Sequence, residues 1–317
     1  MPQKFDPIDL SRVKTHHLVD RKSKVAMEEF AKPWKKGASY RTFLANLPDI
    51  LAGGQLKNVI SAIVRAYRNN HTILFGMGAH VIKVGLNPIV IDLMERRLIT
   101  GVAMNGAGII HDVEFAMVGR TSEDVATALG DGSFGMARET CTFLNEAITS
   151  TRKTSTGLGE AVGRSILEKR LPLMKQSILA TGARLGIPVT VHVAIGTDII
   201  HMHPEYDSQA AGSASHQDFR LFAALVATLD KGVYLNVGSA VILPEIFLKA
   251  TTLVRNLGYT LEDFTTINMD FIKHYRPLTN VINRPTAKGG RGINLVGHHE
   301  ILLPLVAAGV IEEIDEP

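Results

Sequence analysis

His201 and His203, one residue apart in Asp198-Ile199-Ile200-His201-Met202-His203-Pro204-Glu205, form a dense cluster of side chains able to move protons or bind metal. If the segment is extended, both imidazoles face one side, as H-x-H metal ligands do, with Asp198, Glu205, Asp207 and His216 near them in sequence. General acid–base work and polar contacts to a substrate need the same residue types. His80 and His111 each follow a small-residue turn. Lys288 lies in the basic, glycine-rich stretch Arg284–Gly292. A lysine there can anchor an anion or, if desolvated, form a Schiff base.

The elements that must position these residues read as strand, small-residue turn and helix, repeated. Ile73-Leu74-Phe75 leads into Gly76-Met77-Gly78-Ala79-His80, and Leu98 to Met104 into Asn105-Gly106-Ala107-Gly108. The run from Pro188 to Ile195 leads into Gly196-Thr197-Asp198, and Val233 to Val237 into Gly238-Ser239. Such tandem units predict a parallel sheet with crossover helices, whose ligands bind beyond the carboxyl ends of the strands. A further strand is expected over Thr265–Phe271. Helices are expected over Pro88–Arg97, Ile109–Val118, Arg138–Thr149, Leu158–Arg170, Leu173–Gly186, His216–Leu229, Pro244–Leu257 and Ile301–Ala308. Gly130–Gly135 and Ser208–Ser215 read as loops, the second able to cradle a phosphate or carboxylate. Residues 1–70 read as a helical extension closed in part by Gly53-Gly54, and 71–317 as the α/β domain.

The first turn is not the G-x-G-x-x-G dinucleotide fingerprint: no glycine takes the last position, and no acidic residue ends the next strand. With 317 residues, 45% of them apolar, the chain can bury a large core. Its net charge is +3, and no aromatic residues interleave with the basic ones of the N-terminal arm, which gives no reason to expect nucleic acid. One cysteine, Cys141, excludes an internal disulfide framework. No apolar run approaches the ~18 residues of a membrane span, so no membrane partner and a cytoplasmic location are expected.

In this order the turns resemble those of deoxyhypusine synthase, over about residues 70–310. Gly78-Ala79-His80-Val81-Ile82-Lys83-Val84-Gly85, Met104-Asn105-Gly106-Ala107-Gly108-Ile109-Ile110-His111-Asp112, Ile187-Pro188-Val189 with Gly196-Thr197-Asp198, Val237-Gly238-Ser239-Ala240-Val241 and Leu303-Pro304-Leu305-Val306 carry the likeness. The resemblance implies a Rossmann-like doubly wound sheet, NAD over the turns, and a homotetramer of dimers. It also implies amine chemistry, in which NAD oxidises spermidine and an enzyme lysine takes the aminobutyl group. Departures redirect that expectation. The only tryptophan is Trp34, Ile110-His111 stands where the family has paired glutamates, His201 or His203 stands where an acid is expected, and Lys288 lacks the Trp-Gly-Lys context.

The expected protein is therefore an NAD-binding transferase or oxidoreductase-like enzyme acting on an unassigned small, polar, neutral or anionic substrate, and not a true deoxyhypusine synthase. Gly78, Ala79, His80, Asn105, Gly106, Ala107, Gly108, Gly196, Thr197, Gly238 and Ser239 are expected at the cofactor. His111, Asp198, His201, His203 and Lys288 are expected at the chemistry. Two alternatives stand beside this reading: a metal-dependent hydrolase or lyase using His201 and His203, and a non-catalytic binding protein on the same scaffold.

Overall fold

Six short segments form β1 (Ile73–Met77), β2 (Gly101–Asn105), β3 (Val189–His192), β4 (Val233–Val237), β5 (Thr265–Asp270) and β6 (Arg291–Val296) in the computed structural model, which describes residues 4–314. They pair in the order β3-β2-β1-β4-β5-β6, and every neighbouring pair is parallel. This is the Rossmann-like doubly wound arrangement, with its switch point between β1 and β4.

The helices are α1 (Tyr40–Asn46), α2 (Leu51–Arg68), α3 (His80–Lys83), α4 (Asn87–Glu95), α5 (Gly106–Val118), α6 (Val125–Asp131) and α7 (Arg138–Thr154). They continue with α8 (Leu158–Glu168), α9 (Ile178–Leu185), α10 (Ser208–Ala227), α11 (Ile242–Asn256), the single turn α12 (Tyr275–Pro277) and α13 (His299–Ile314). Successive strand residues face opposite layers. Ile73, Phe75 and Met77 of β1 pack with Val59 and Ile60 of α2, Val90 of α4, Ile109 of α5 and Val306 of α13. Leu74 packs with Tyr234, Phe222 of α10 and Phe247 of α11. Each fully buried side chain of this kind contributes ~1.5–3 kcal/mol.

Buried carboxylates lock the helices that frame the upper edge. Asp112 of α5 accepts from the amides of Ile178 (2.8 Å) and Leu179 (3.1 Å) and from Ser177 Oγ (2.5 Å), capping α9. Asp218 of α10 accepts from Gly159 N (3.0 Å) at the start of α8 and from Val191 N (2.9 Å) of β3.

Several local expectations change. Helix begins only at Tyr40: residues 4–38 run extended and exposed, with single 3₁₀ turns at Leu18–Asp20 and Met27–Glu29. Gly53 and Gly54 open α2 rather than closing the helix before it, because a Cβ at Gly53 would lie 2.3 Å from Pro48 O. The loop at Gly130–Gly135 begins after Asp131, where α6 ends on a left-handed Gly132 (φ +79°). Leu173–Gly186 is helical only from Ile178, apart from a 3₁₀ turn at Met174–Gln176. Ser208–Ser215 forms the first turns of α10, started by the Asp207 side chain accepting from Ala210 N and held by buried Ala210, Ala211 and Ala214. The strand β6 was not anticipated at all, since it opens on exposed Arg291-Gly292 and buries only Ile293 and Leu295.

Candidate functional site

The turns after β1, β2, β3 and β4 meet along the carboxyl edge of the sheet, so Gly78, Ala79, His80, Asn105–Gly108, Gly196–Asp198, Gly238 and Ser239 lie on one rim. From this rim a cleft of about 700 Å³ runs down the outer face of α5. Ala107, His111, Thr197 and Asp198 line it together with Lys83, Glu114, Thr121 and Thr140, and Ile110, Met117, Val118 and Phe134 give it apolar walls. That size and mixture suit a small-molecule site.

His111 is its best-defined group. Thr121 Oγ1 donates to Glu114 Oε2, so the 2.6 Å contact between His111 Nδ1 and Thr121 Oγ1 requires Nδ1–H to donate. Thr140 Oγ1 donates to the other carboxylate oxygen of Glu114 at 3.2 Å. The imidazole is thus fixed as the tautomer whose Nε2 carries the lone pair, and Nε2 has no partner among the described residues. Burial, reinforced by the nearby Lys83 ammonium, pushes the His111 pKa down to about 4. At neutral pH it is a neutral base beside a cation.

Asp198 is buried (7% exposed) against the start of α5, where a Cβ on Gly106 would lie 2.0 Å from its Oδ2. Burial raises its pKa, opposed by His201. His201 sits in a 3₁₀ turn, and its Nδ1 accepts from the amides of Gly196 (3.2 Å) and Asp198 (3.3 Å). His203 Nε2 donates to Gly135 O at 2.9 Å. The two rings therefore serve local contacts and do not converge, because the segment is a turn and not extended. Among the described residues, no group of three or more His, Cys, Asp or Glu side chains is placed to hold a metal ion.

Lys288 is also separated from the set. Arg291 of β6 pairs with Thr265 at the start of β5, and Gly289 lies by Glu262, so Lys288 is exposed at the amino edge of the sheet. The strands between the two edges are ~20 Å long. The expected strand-end residues share one rim, whereas Lys83, Glu114, Thr121 and Thr140, which line the cleft beside His111, stand outside the expected set. Only Glu114 was legible, three residues after His111 and so on the same helical face.

A dinucleotide on this fold belongs at the crevice between β1 and β4. There Gly78 N donates to Val237 O, and a Cβ on Gly78 would lie 2.1 Å from Gly238 O, so glycine permits the two turns to meet. Exposed His80 forms one side, 5.3 Å between ring centroids from buried His299, whose Nδ1 has no hydrogen-bond partner. Small turns and an unpaired buried acceptor fit the backbone and polar groups of a dinucleotide. The acidic ribose partner does not appear at the end of β2, where the Asn105 side chain caps α5 by accepting from Gly108 N at 3.2 Å.

No protein-family model matches the sequence, and no curated protein does. Solved structures match by fold. A LOR/SDH protein from Methanococcus maripaludis S2 is 16% identical (TM-score 0.52), the match covering 92% of this chain and 75% of that one. AgrE, solved as a ternary complex with ornithine and NAD+, is 13% identical (TM-score 0.52), the match covering 81% and 33%. A protein assigned as a deoxyhypusine synthase from Entamoeba histolytica is 12% identical (TM-score 0.45), covering 89% and 96%. The chain spans about a third of the length of AgrE and of ArgZ, a cyanobacterial arginine dihydrolase it also matches (33% and 32%). At these identities the LOR/SDH and AgrE matches show a shared fold and nothing finer. Among the described residues no helix is long and apolar enough to cross a membrane.

Proposed function

We propose that this chain is a Rossmann-class enzyme that acts on a small polar substrate in the α5 cleft, with His111 as general base. The observation that carries the reading is the imidazole held by Thr121 and Glu114 with its Nε2 lone pair uncommitted. Nε2 takes a proton from a substrate hydroxyl, amine or activated carbon. The Lys83 ammonium, on the same cleft, stabilises the negative charge left on the substrate. Glu114, 3.9 Å from His111 Nδ1 and joined to it through Thr121, stabilises the imidazolium that forms. Asp198 and Thr197 orient the substrate at the end nearest the sheet.

Nicotinamide dinucleotide is the cofactor in this proposal, supported by the switch-point crevice and by NAD+ in the AgrE structure. When bound it would supply a hydride acceptor, and Gly78, Ala79, His80, Gly238 and Ser239 would hold it. We assign Lys288 no part in the reaction. Self-association belongs to the same reading, since residues 4–38 expose a row of large apolar side chains.

Titration calorimetry with NAD+ on the full chain tests the cofactor, and the absence of heat and of any thermal stabilisation overturns that part. The base is tested by screening alcohols, hydroxy acids and amines for NADH formation. Turnover of one of them that survives His111→Gln undiminished overturns the catalytic part.

A further inference from the structure

A second cleft, of about 420 Å³, opens between the end of α7 and the first turns of α10. Its walls are Thr151, Arg152, Ser155 and Thr156 on one side, and Gln209, Ser213, His216, Gln217 and Arg220 on the other, with Ala210 and Ala214 between them. Every polar residue lining it is a hydrogen-bond donor, and no carboxylate is among them. Asp207, beside the cleft, faces Arg152: it accepts from Arg152 Nε (2.5 Å) and Nη2 (2.7 Å) and from Ala210 N. That pairing orients the guanidinium and leaves its Nη1 uncommitted among the described residues. The Arg220 guanidinium has one long contact, 3.4 Å to Gln217 Oε1, and no acidic partner among the described residues. Ser155 holds a left-handed backbone (φ +54°) at the end of α7, a conformation a residue with a Cβ rarely keeps without a local reason.

Two arginines, a histidine and four hydroxyls around one cavity, beside the positive end of a 20-residue helix, form a field that favours anions. Small residues at Ala210, Ser213 and Ala214 leave the space, which exceeds what a phosphate alone fills. We propose that this cleft is a binding site for the phosphate group of a phosphorylated small molecule, with Arg220 and Arg152 on the phosphate oxygens and Ser155, Thr156 and Ser213 as donors around it. The site is separate from the α5 cleft and shares no lining residue with it.

Calorimetric titration of the full chain with inorganic phosphate, and separately with glycerol 3-phosphate, tests this. Both are expected to bind, glycerol 3-phosphate the more tightly. Arg220→Ala is expected to weaken binding by about tenfold or more, and Ser213→Asp, which places a carboxylate in the cleft, to abolish it. Arg164→Ala, a surface arginine paired with Glu160 outside the cleft, serves as control and is expected to bind as the parent does. Circular dichroism checks that each variant is folded. No heat from either probe, or equal affinity in parent, Arg220→Ala and Ser213→Asp, overturns the proposal. So does binding confined to vesicles containing phosphatidic acid, which would assign the arginines to a membrane surface.

Discussion

His111 is pushed toward the neutral ring by partial burial and by the neighbouring Lys83 ammonium, while the hydrogen bond from Nδ1 to Thr121 fixes which nitrogen keeps the lone pair. Its resonance, followed by heteronuclear NMR against pH, is expected to titrate near 4. Lys83→Met removes the second cause and is expected to raise that midpoint, with burial keeping it below the ordinary histidine value. A midpoint at or above 6.5 in the parent would sink the assignment of His111 as a poised neutral base. The candidate site was partly legible in the sequence for a physical reason. Residues at strand ends share a rim whenever the sheet is parallel, so His111 and Asp198 could be placed together from the turn pattern alone. Lys83, Thr121 and Thr140 come from three other segments, and nothing in their spacing shows that α5 gathers them. His201 and His203 were misjudged because alternation puts two side chains on one side only in extended chain, and the backbone there is a 3₁₀ turn. Lys288 was misjudged because its surroundings, rich in glycine and basic residues, say nothing about which edge of the sheet the loop joins.

At the scale of elements, the contact between β1 and β4 gives a sharper test of packing. Tyr234 of β4 is buried, stacks on Phe247 at 3.9 Å, and has a hydroxyl with no partner. A Cβ on Gly76 of β1 would lie 2.5 Å from that hydroxyl. Gly76→Ala is therefore expected to destabilise by about 1–3 kcal/mol, because the stacked ring has no room to withdraw. Tyr234→Phe removes an unsatisfied buried group and is expected to leave stability unchanged or raised by about 1 kcal/mol. In the double variant the cost of Gly76→Ala should fall but not vanish, since ring carbons remain at 3.0 Å. Urea unfolding of the four proteins measures the cycle, and strict additivity would show that the collision is not what limits Gly76. The five strands other than β6 were legible because buried parallel strands are mostly apolar runs. The edge strand β6 was not, since half of its residues are exposed, and neither was the start of α10, where alanine and serine look like loop until Asp207 caps them.

For the whole molecule, the buried titratable groups set opposing dependences of stability on pH. Burial pushes Asp218 up to about 7 and Asp112 up to about 6, so the folded state holds those protons more tightly than the unfolded chain does. Their contribution to stability declines as pH rises, from about 4 to about 6 for Asp112 and on to about 7 for Asp218. His192 and His111, pushed down to about 3 and about 4, act the other way: the unfolded chain takes their protons first, so stability rises with pH up to about 6.5. The two sets offset one another in acid, and above pH 6.5 the loss of the Asp218 proton outlasts the contributions of His192 and His111. The melting temperature is expected to fall modestly between pH 6.5 and 8, and Asp218→Asn to flatten that slope; an unchanged slope in the variant would place the titration elsewhere. The N-terminal arm yields a prediction about assembly. Phe5 (82% exposed), Ile8 (87%), Leu18 (72%) and Val19 (89%) stand in solvent, and the arm's first backbone bonds to the body are Asp49 N to Glu29 O and Lys32 N to Asn46 O. A row of bare apolar side chains gains most by packing on another surface, and a second copy of the chain supplies one at equal concentration. The intact chain is expected to elute, by light scattering, at a multiple of 34.5 kDa. Removing residues 1–25 is expected to reduce the assembly while leaving the melting temperature of the α/β domain nearly unchanged, because none of the described residues removed is buried. A monomeric intact chain would refute the role of the arm, and an assembly untouched by its removal would move the interface onto the domain itself.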